Sequence, residues 1–140
     1  MGYNDSIKNT PERYTKLFTP YEQYVKIYIE RARECHAQPV LIMPVARLHV
    51  EDDRFINDFQ DYCMAMKGVA VSEQAPIIDL MEISLQYYQS IGYEEAVTLF
   101  MASIIETDFI LFTEKGANEI ARILANALKS SEIQLSTFLK

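Results

Sequence analysis

Two short apolar runs, set between segments of helical period, constrain the fold of this chain more than any other feature. Residues 39–45 read Pro-Val-Leu-Ile-Met-Pro-Val, and residues 76–80 read Pro-Ile-Ile-Asp-Leu. Neither run alternates between apolar and polar residues, which is typical of parallel strands buried on both faces. Helical patterns flank both runs, and this alternation predicts an α/β fold in three layers.

The helical segments carry recognisable start signals. Thr19, Pro20 and Glu22 form a capping pattern that predicts a first helix from about residue 20. Further helices are predicted over residues 55–69, 81–90 and 94–104, and a last helix is predicted to begin after a Thr113 cap. The expected inner face of the first helix comprises Tyr21, Tyr24, Val25, Tyr28, Ile29 and Ala32. That of the last helix comprises Ala117, Ile120, Ala121, Leu124 and Leu128.

Composition narrows the class of protein. The chain has 140 residues, 49% of them hydrophobic, which predicts an ordinary globular domain and at most one of them. A net charge of −7 argues against non-specific binding to nucleic acid or to an anionic membrane. No leader pattern or membrane-length apolar stretch is visible, so a cytoplasmic location is the expectation. No zinc, phosphate-loop or dinucleotide motif occurs in the sequence.

A motif near the last helix bears on function. Residues 108–113 read Asp-Phe-Ile-Leu-Phe-Thr, and Gly116-Ala117 follow. This segment resembles the last conserved block of the SGNH (GDSL-type) hydrolases, which reads Asp-x-x-His, then Phe, Ser or Thr, and a helix that opens with Gly-Ala. The resemblance places Asp108 at the position of the catalytic triad aspartate. Leu111 occupies the position of the catalytic histidine.

The beginning of the chain resembles another block of the same family. Gly2-Tyr3-Asn4-Asp5 is similar to its third block, Gly-x-Asn-Asp. The resemblance implies that Gly2 and Asn4 correspond to donors of the oxyanion hole. In the family the nucleophilic serine stands upstream, in a Gly-Asp-Ser block. This chain begins at the third block, and none of its serines has that context.

Three further segments, residues 9–15, 38–47 and 76–80, are similar to the rhamnogalacturonan acetylesterase branch of these carbohydrate esterases. The resemblance runs from Gly2 to about Leu128. It implies a truncated three-layer α/β/α, flavodoxin-like fold with a short parallel sheet, and a single partial domain over residues 1–140. It also implies an ancestral esterase that used Ser, His and Asp to remove acetyl groups from sugars, without a metal or organic cofactor.

The residues after the first predicted strand are candidates for a substrate rim. Arg47 and His49 follow residues 39–45, and ligands of open α/β sheets bind beyond the carboxyl ends of strands. Arg47 could contact a saccharide, or it could pair with Glu51, Asp52 or Asp53. His49 could act as a substitute base or be a solvated loop residue.

Three readings of function follow from these residues, and one of them is a decayed gene product without a selected function. A leucine cannot accept a proton from a serine, so the first reading is a catalytically inactive relative of a carbohydrate acetylesterase, with an acetylated pectic saccharide as its ancestral ligand. The second reading is a non-catalytic interaction module. Two strands make a poor sheet, and residues 109–112 form an apolar loop. A second copy or a complementing chain would then cover these surfaces.

Overall fold

The computed structural model describes residues 20–131 and residue 133, which form two compact units. The first unit contains residues 20–44 and Phe59–Asp79, and the second contains Val45–Asp58 and the described residues from Leu80 onward. The expectation of one partial domain over residues 1–140 stays a prediction. No helix among the described residues combines the length and the apolar character needed to cross a lipid bilayer.

The first unit contains a short parallel sheet with two helices. Its elements are α1 (Pro20–Glu34), β1 (Leu41–Ile42), α2 (Gln60–Ser72) and β4 (Ile77–Ile78). β1 pairs in parallel with β4, and Leu41 is in register with Ile77. The predicted α/β fold with a short parallel sheet is thus confirmed. The strands are shorter than the predicted runs 39–45 and 76–80, because Pro39, Pro44 and Pro76 have no N–H to continue a ladder.

α1 buries a narrower face than the sequence pattern predicts. Tyr21, Val25 and Ile29 are buried, whereas Tyr24 is 52% exposed and Tyr28 is 64% exposed. The buried residues are four apart and form a single row, which is the seam expected when one helix packs on a single neighbour. Tyr21 meets Tyr62 of α2 edge to face, with ring centroids 4.9 Å apart.

The second unit begins with a β-hairpin that the sequence analysis missed. β2 (Val50–Glu51) and β3 (Arg54–Phe55) pair antiparallel around Asp52 and Asp53, whose φ angles are 48° and 61°. Two left-handed residues in a two-residue loop are the signature of a type I′ turn. The predicted helix over 55–69 is therefore wrong at its start. Phe55 pairs with Val50, and α2 begins only at Gln60.

The rest of the second unit is helical. α3 (Leu80–Ile91) is followed by α4 (Tyr93–Val97), a 3₁₀ helix (Met101–Ser103) and α5 (Glu114–Lys129). The fourth helix thus ends well before the predicted residue 104. Tyr88, Phe100 and Phe112 form a row of contacting rings, with centroids 5.5 Å and 4.8 Å apart. Tyr88 and Phe100 are fully buried, so these rings form part of the core.

The start of α5 is confirmed, but its inner face is rotated from the prediction. The Thr113 hydroxyl accepts a hydrogen bond from the Gly116 N–H, as an N-cap does. Gly116 and Ile123 are buried, whereas Ala117 and Ala121 are exposed. The rotation follows from a close backbone contact: a β-carbon at Gly116 would lie only 1.9 Å from the Leu99 carbonyl oxygen.

We expect Gly116→Ala to lower the free energy of unfolding by about 3 kcal/mol, because a methyl group at this position overlaps backbone that cannot move aside. Gly68→Ala is the matched control. Gly68 is an exposed position inside α2 with nothing within 4 Å of an added β-carbon, and alanine there should stabilise the protein by about 0.5–1 kcal/mol. Urea unfolding of the three proteins tests both signs. Equal stability of the two variants would contradict the close approach.

Candidate functional site

The segment Val45–Asp58, which carries both predicted rim residues, is attached to α3 through the backbone of Ala46. The Ala46 N–H donates to the Ser84 hydroxyl at 3.0 Å, and the Tyr88 hydroxyl donates to the Ala46 carbonyl at 3.2 Å. Ser84 in turn donates to the Met81 carbonyl. Burial raises the pKa of Tyr88, which keeps its hydroxyl protonated and able to donate. These buried hydrogen bonds fix the position of the Ala46 backbone, from which the segment with Arg47 and His49 continues.

Arg47 and His49 converge on one carboxylate, that of Asp58. Arg47 Nε donates to Asp58 Oδ2 at 2.5 Å, and His49 Nδ1 lies 2.7 Å from Asp58 Oδ1. The hairpin causes this convergence, since the Ile56 N–H donates to the His49 carbonyl and returns the chain beside its own start. The three partners considered for Arg47 from the sequence did not include Asp58.

Asp58 is held as a carboxylate. Its side chain is 14% exposed, and this burial by itself would raise its pKa. The hydrogen bonds and charges of Arg47 and His49 outweigh burial, so the pKa of Asp58 lies below its ordinary value. On its other side, His49 Nε2 lies 3.3 Å from the exposed Glu51 carboxylate. The imidazole therefore lies between two carboxylates.

A cavity of about 700 Å³ opens beside this cluster. Its lining combines three polar side chains, two aliphatic ones and three aromatic rings. The lining residues are Leu48, His49, Val50, Asp53, Phe55, Gln89, Tyr93 and Phe109. Such a mixture of apolar walls and a few hydrogen-bonding groups is typical of small-molecule sites.

A smaller cavity of about 240 Å³ connects the two loops of interest. Arg47, His49, Thr107 and Ile110 contribute to its wall, and His49 lines both cavities. The Leu48 N–H donates to the Phe109 carbonyl at 3.0 Å, which joins the loop after β1 to the loop that contains Asp108. These contacts bring the segment that carries Arg47 and His49 close to the segment that carries Asp108.

Asp108 itself has a local partner set. Its Oδ1 accepts hydrogen bonds from the Ile110 and Leu111 N–H groups, at 3.1 and 2.9 Å. The Leu111 side chain is 62% exposed. Among the described residues, the side-chain partners of His49 are Asp58 and Glu51, so His49 does not pair with Asp108. The structure thus brings Arg47 and His49 together, and it gives Asp108 the role of a turn acceptor.

The remaining predicted site residues, Gly2 and Asn4, lie outside the described residues. Within the described part of the chain, no group of three or more His, Cys, Asp or Glu side chains is placed to hold a metal ion. Asp58, Gln89 and Tyr93 were missed by sequence reasoning. Asp58 lay at the start of an apparent helix, and nothing local distinguished the other two from surface residues.

We expect the pairing of Asp58 to make stability depend on pH. An aspartate in an unfolded chain has a pKa of about 3.9, and the folded value of Asp58 is lower. The stabilisation is therefore fully present above about pH 4 and is lost as the pH falls through the folded value. Asp58→Asn should cost about 1–3 kcal/mol at pH 7 and clearly less at pH 3, as measured by urea unfolding. Asp61→Asn, at an exposed position, is the control, and a cost for Asp58→Asn that does not change with pH would refute the expectation.

The chain is similar to known proteins in sequence and in fold. No family model matches it. It is 50% identical over 136 residues to the probable rhamnogalacturonan acetylesterase YesY of Bacillus subtilis strain 168, a match that covers 97% of this chain and 63% of YesY. It is 30% identical over 150 residues to the rhamnogalacturonan acetylesterase RhgT of the same strain, covering 99% of this chain and 62% of RhgT.

A solved structure has a similar fold. The crystal structure of the Bacillus subtilis protein YxiM matches with a TM-score of 0.73 and 21% identity, over 95% of this chain and 35% of that protein. At this identity the likeness concerns the fold alone. The chain spans somewhat less than two thirds of the length of YesY and RhgT. The chain is therefore similar to proteins named rhamnogalacturonan acetylesterases over part of their length, which supports its resemblance to the SGNH-type esterases.

Proposed function

We propose that this chain is a saccharide-holding relative of rhamnogalacturonan acetylesterases that does not itself hydrolyse acetyl esters. The observation that carries the proposal is the turn from Asp108 to Leu111. Its carboxylate accepts two backbone N–H groups, and an exposed leucine stands where the related enzymes are expected to carry their base.

The chemistry of acyl transfer supports the absence of hydrolysis. A serine nucleophile needs a base within hydrogen-bond reach, and a carboxylate to orient that base. Leu111 cannot accept a proton. His49 is oriented by a different carboxylate, Asp58, and the described Ser84 and Ser103 use their hydroxyls on backbone carbonyls. Loss of triad members removes several orders of magnitude from the rate.

The larger cavity supports retained binding. Its hydrogen-bonding side chains, His49, Asp53 and Gln89, suit sugar hydroxyls. Its rings, among them the half-exposed Tyr93 and Phe109, offer flat apolar faces against which the C–H faces of a sugar can pack. The acetylated pectic saccharide implied by the names of the relatives is the ligand class that we assign to this cavity.

We expect no release of acetate from acetylated rhamnogalacturonan by the purified chain, because Leu111 cannot accept a proton and the described Ser84 and Ser103 use their hydroxyls on backbone carbonyls. Acetate should be measured over hours at several protein concentrations, with heat-treated protein as the blank and RhgT as the positive control. A rate that is proportional to protein concentration and well above the blank would overturn the inactive assignment.

We expect the same protein to bind acetylated rhamnogalacturonan oligosaccharides in calorimetric titration. Tyr93→Ala should weaken binding about 5- to 30-fold, because tyrosine is enriched among the residues whose truncation costs about 1–2 kcal/mol or more of binding free energy. Tyr28→Ala is the matched control, since this tyrosine is also more than half exposed but lies on α1. Equal affinities of the two variants would remove Tyr93, and with it the cavity, from the binding site.

A second candidate function, assembly with another chain, is favoured by one surface. Ile104, Ile105 and Leu111 are each more than half exposed, and Phe109 and Ile110 extend the same loop. Exposed apolar surface of this kind is typical of interaction sites.

If this surface mediates assembly, we expect the chain to elute as an oligomer in size-exclusion chromatography with light scattering. Leu111→Ser should shift it toward the monomer. Val71→Ser, at a position 80% exposed, is the control. A wild-type chain that is monomeric at high concentration would eliminate self-assembly.

A further inference from the structure

We infer that the larger cavity takes a neutral sugar unit in preference to a uronate, and that Asp58 is a positioning residue that orients His49 as its hydrogen-bonding group. This inference rests on the proposed function, because it specifies which unit of a saccharide the cavity accepts. It is carried by the geometry around His49, by the charges of the lining and by its apolar faces.

His49 is oriented from one side of its ring. Asp58 Oδ1 lies 2.7 Å from Nδ1, and Arg47 holds the other oxygen of the same carboxylate. A carboxylate is an acceptor, so Nδ1 carries the proton that points to Asp58. The ring therefore presents Nε2 away from Asp58. The Glu51 carboxylate lies 3.3 Å from Nε2, and its side chain is 65% exposed. A ligand can therefore displace it from Nε2.

A hydroxyl group suits Nε2 in either protonation state. A bare Nε2 accepts a hydrogen bond, and a protonated Nε2 donates one, while a sugar hydroxyl can act as donor or acceptor. A carboxylate accepts only, and so it fits only the protonated ring. This difference in hydrogen bonding favours a neutral polyol at His49.

The charges around the cavity also favour a neutral sugar over a uronate. Asp53 is part of the lining, and Glu51 stands beside His49. The described lining residues include neither lysine nor arginine, and the charge of the nearby Arg47 is paired with Asp58. A uronate carboxylate would enter facing one or two carboxylates without a dedicated cation, which costs free energy even at partly exposed sites.

The apolar side chains of the lining also favour a neutral sugar over a uronate. Leu48, Val50, Phe55 and Phe109 contribute apolar side chains to the lining, and the Phe55 ring packs against the buried Tyr88, with ring centroids 5.7 Å apart. A deoxyhexose presents a methyl group where a uronate presents its carboxylate. The methyl group gains from burial against such a wall, whereas a carboxylate loses hydration.

The test uses the two histidines of the chain, His36 and His49, as internal probe and control. Two-bond ¹H–¹⁵N spectra of the imidazoles report the tautomer of each ring during titration with methyl α-L-rhamnoside or the methyl glycoside of galacturonic acid. We expect the rhamnoside to shift His49 saturably while His36 stays in place. We also expect its Kd to be at least about fivefold lower than that of the uronate.

Three variants separate positioning and charge from general damage. Asp58→Asn should change the tautomer balance of His49 and weaken rhamnoside binding, whereas a merely structural role would leave the tautomer unchanged. Asp53→Asn should narrow the preference against the uronate. Glu30→Gln, an exposed residue of α1, removes the same charge elsewhere and should alter neither result.

The outcomes separate this inference from the proposed function. If acetylated oligosaccharides bind but the uronate glycoside matches or exceeds the rhamnoside, or the His49 signals do not respond to the sugar, the inference is wrong and the saccharide-holding function stands. If neither the oligosaccharides nor the two glycosides bind, both are wrong.

Discussion

The peptide groups on either side of Ala46 are each hydrogen-bonded to a side chain of α3, and the rest of the candidate site depends on these two bonds. A buried N–H or carbonyl without a partner costs more than an ordinary hydrogen bond contributes, so the backbone at this point has one favourable position. Arg47 and His49 follow within three residues. The positions of the hairpin and of the cavity wall are therefore set by Ser84 and Tyr88, two residues that touch neither cavity.

Asp108, which the SGNH resemblance aligns with the triad aspartate, has a structural role that needs no catalysis. One oxygen of its carboxylate accepts two successive backbone N–H groups, a turn-forming arrangement that needs only an acceptor. This local function does not require a histidine three residues later. The presence of an aspartate at this position is thus explained by the turn alone, and it does not argue for retained hydrolysis.

Features encoded by neighbouring residues could be predicted from the sequence, and features that depend on distant contacts could not. The Thr113 cap rests on a spacing of three residues, and it lies where expected. Phe55 and Phe59 precede α2 at helical spacing, so the sequence pattern predicted a helix that begins too early. In the structure Phe55 pairs with Val50 across the hairpin instead. The partner of Arg47 and His49 depended on the same hairpin, and so Asp58 could not be identified in advance.

The hairpin turn that supplies Asp53 to the cavity also carries a local strain. Both of its central residues have left-handed backbones, a conformation for which Asn-Gly is the most favourable pair, and here both are aspartates. A chain under selection for stability alone would drift toward Asn-Gly at these positions. Under the proposed function, the stability of the hairpin and the binding of a ligand make opposing demands on Asp53, which lies both in the turn and in the cavity lining.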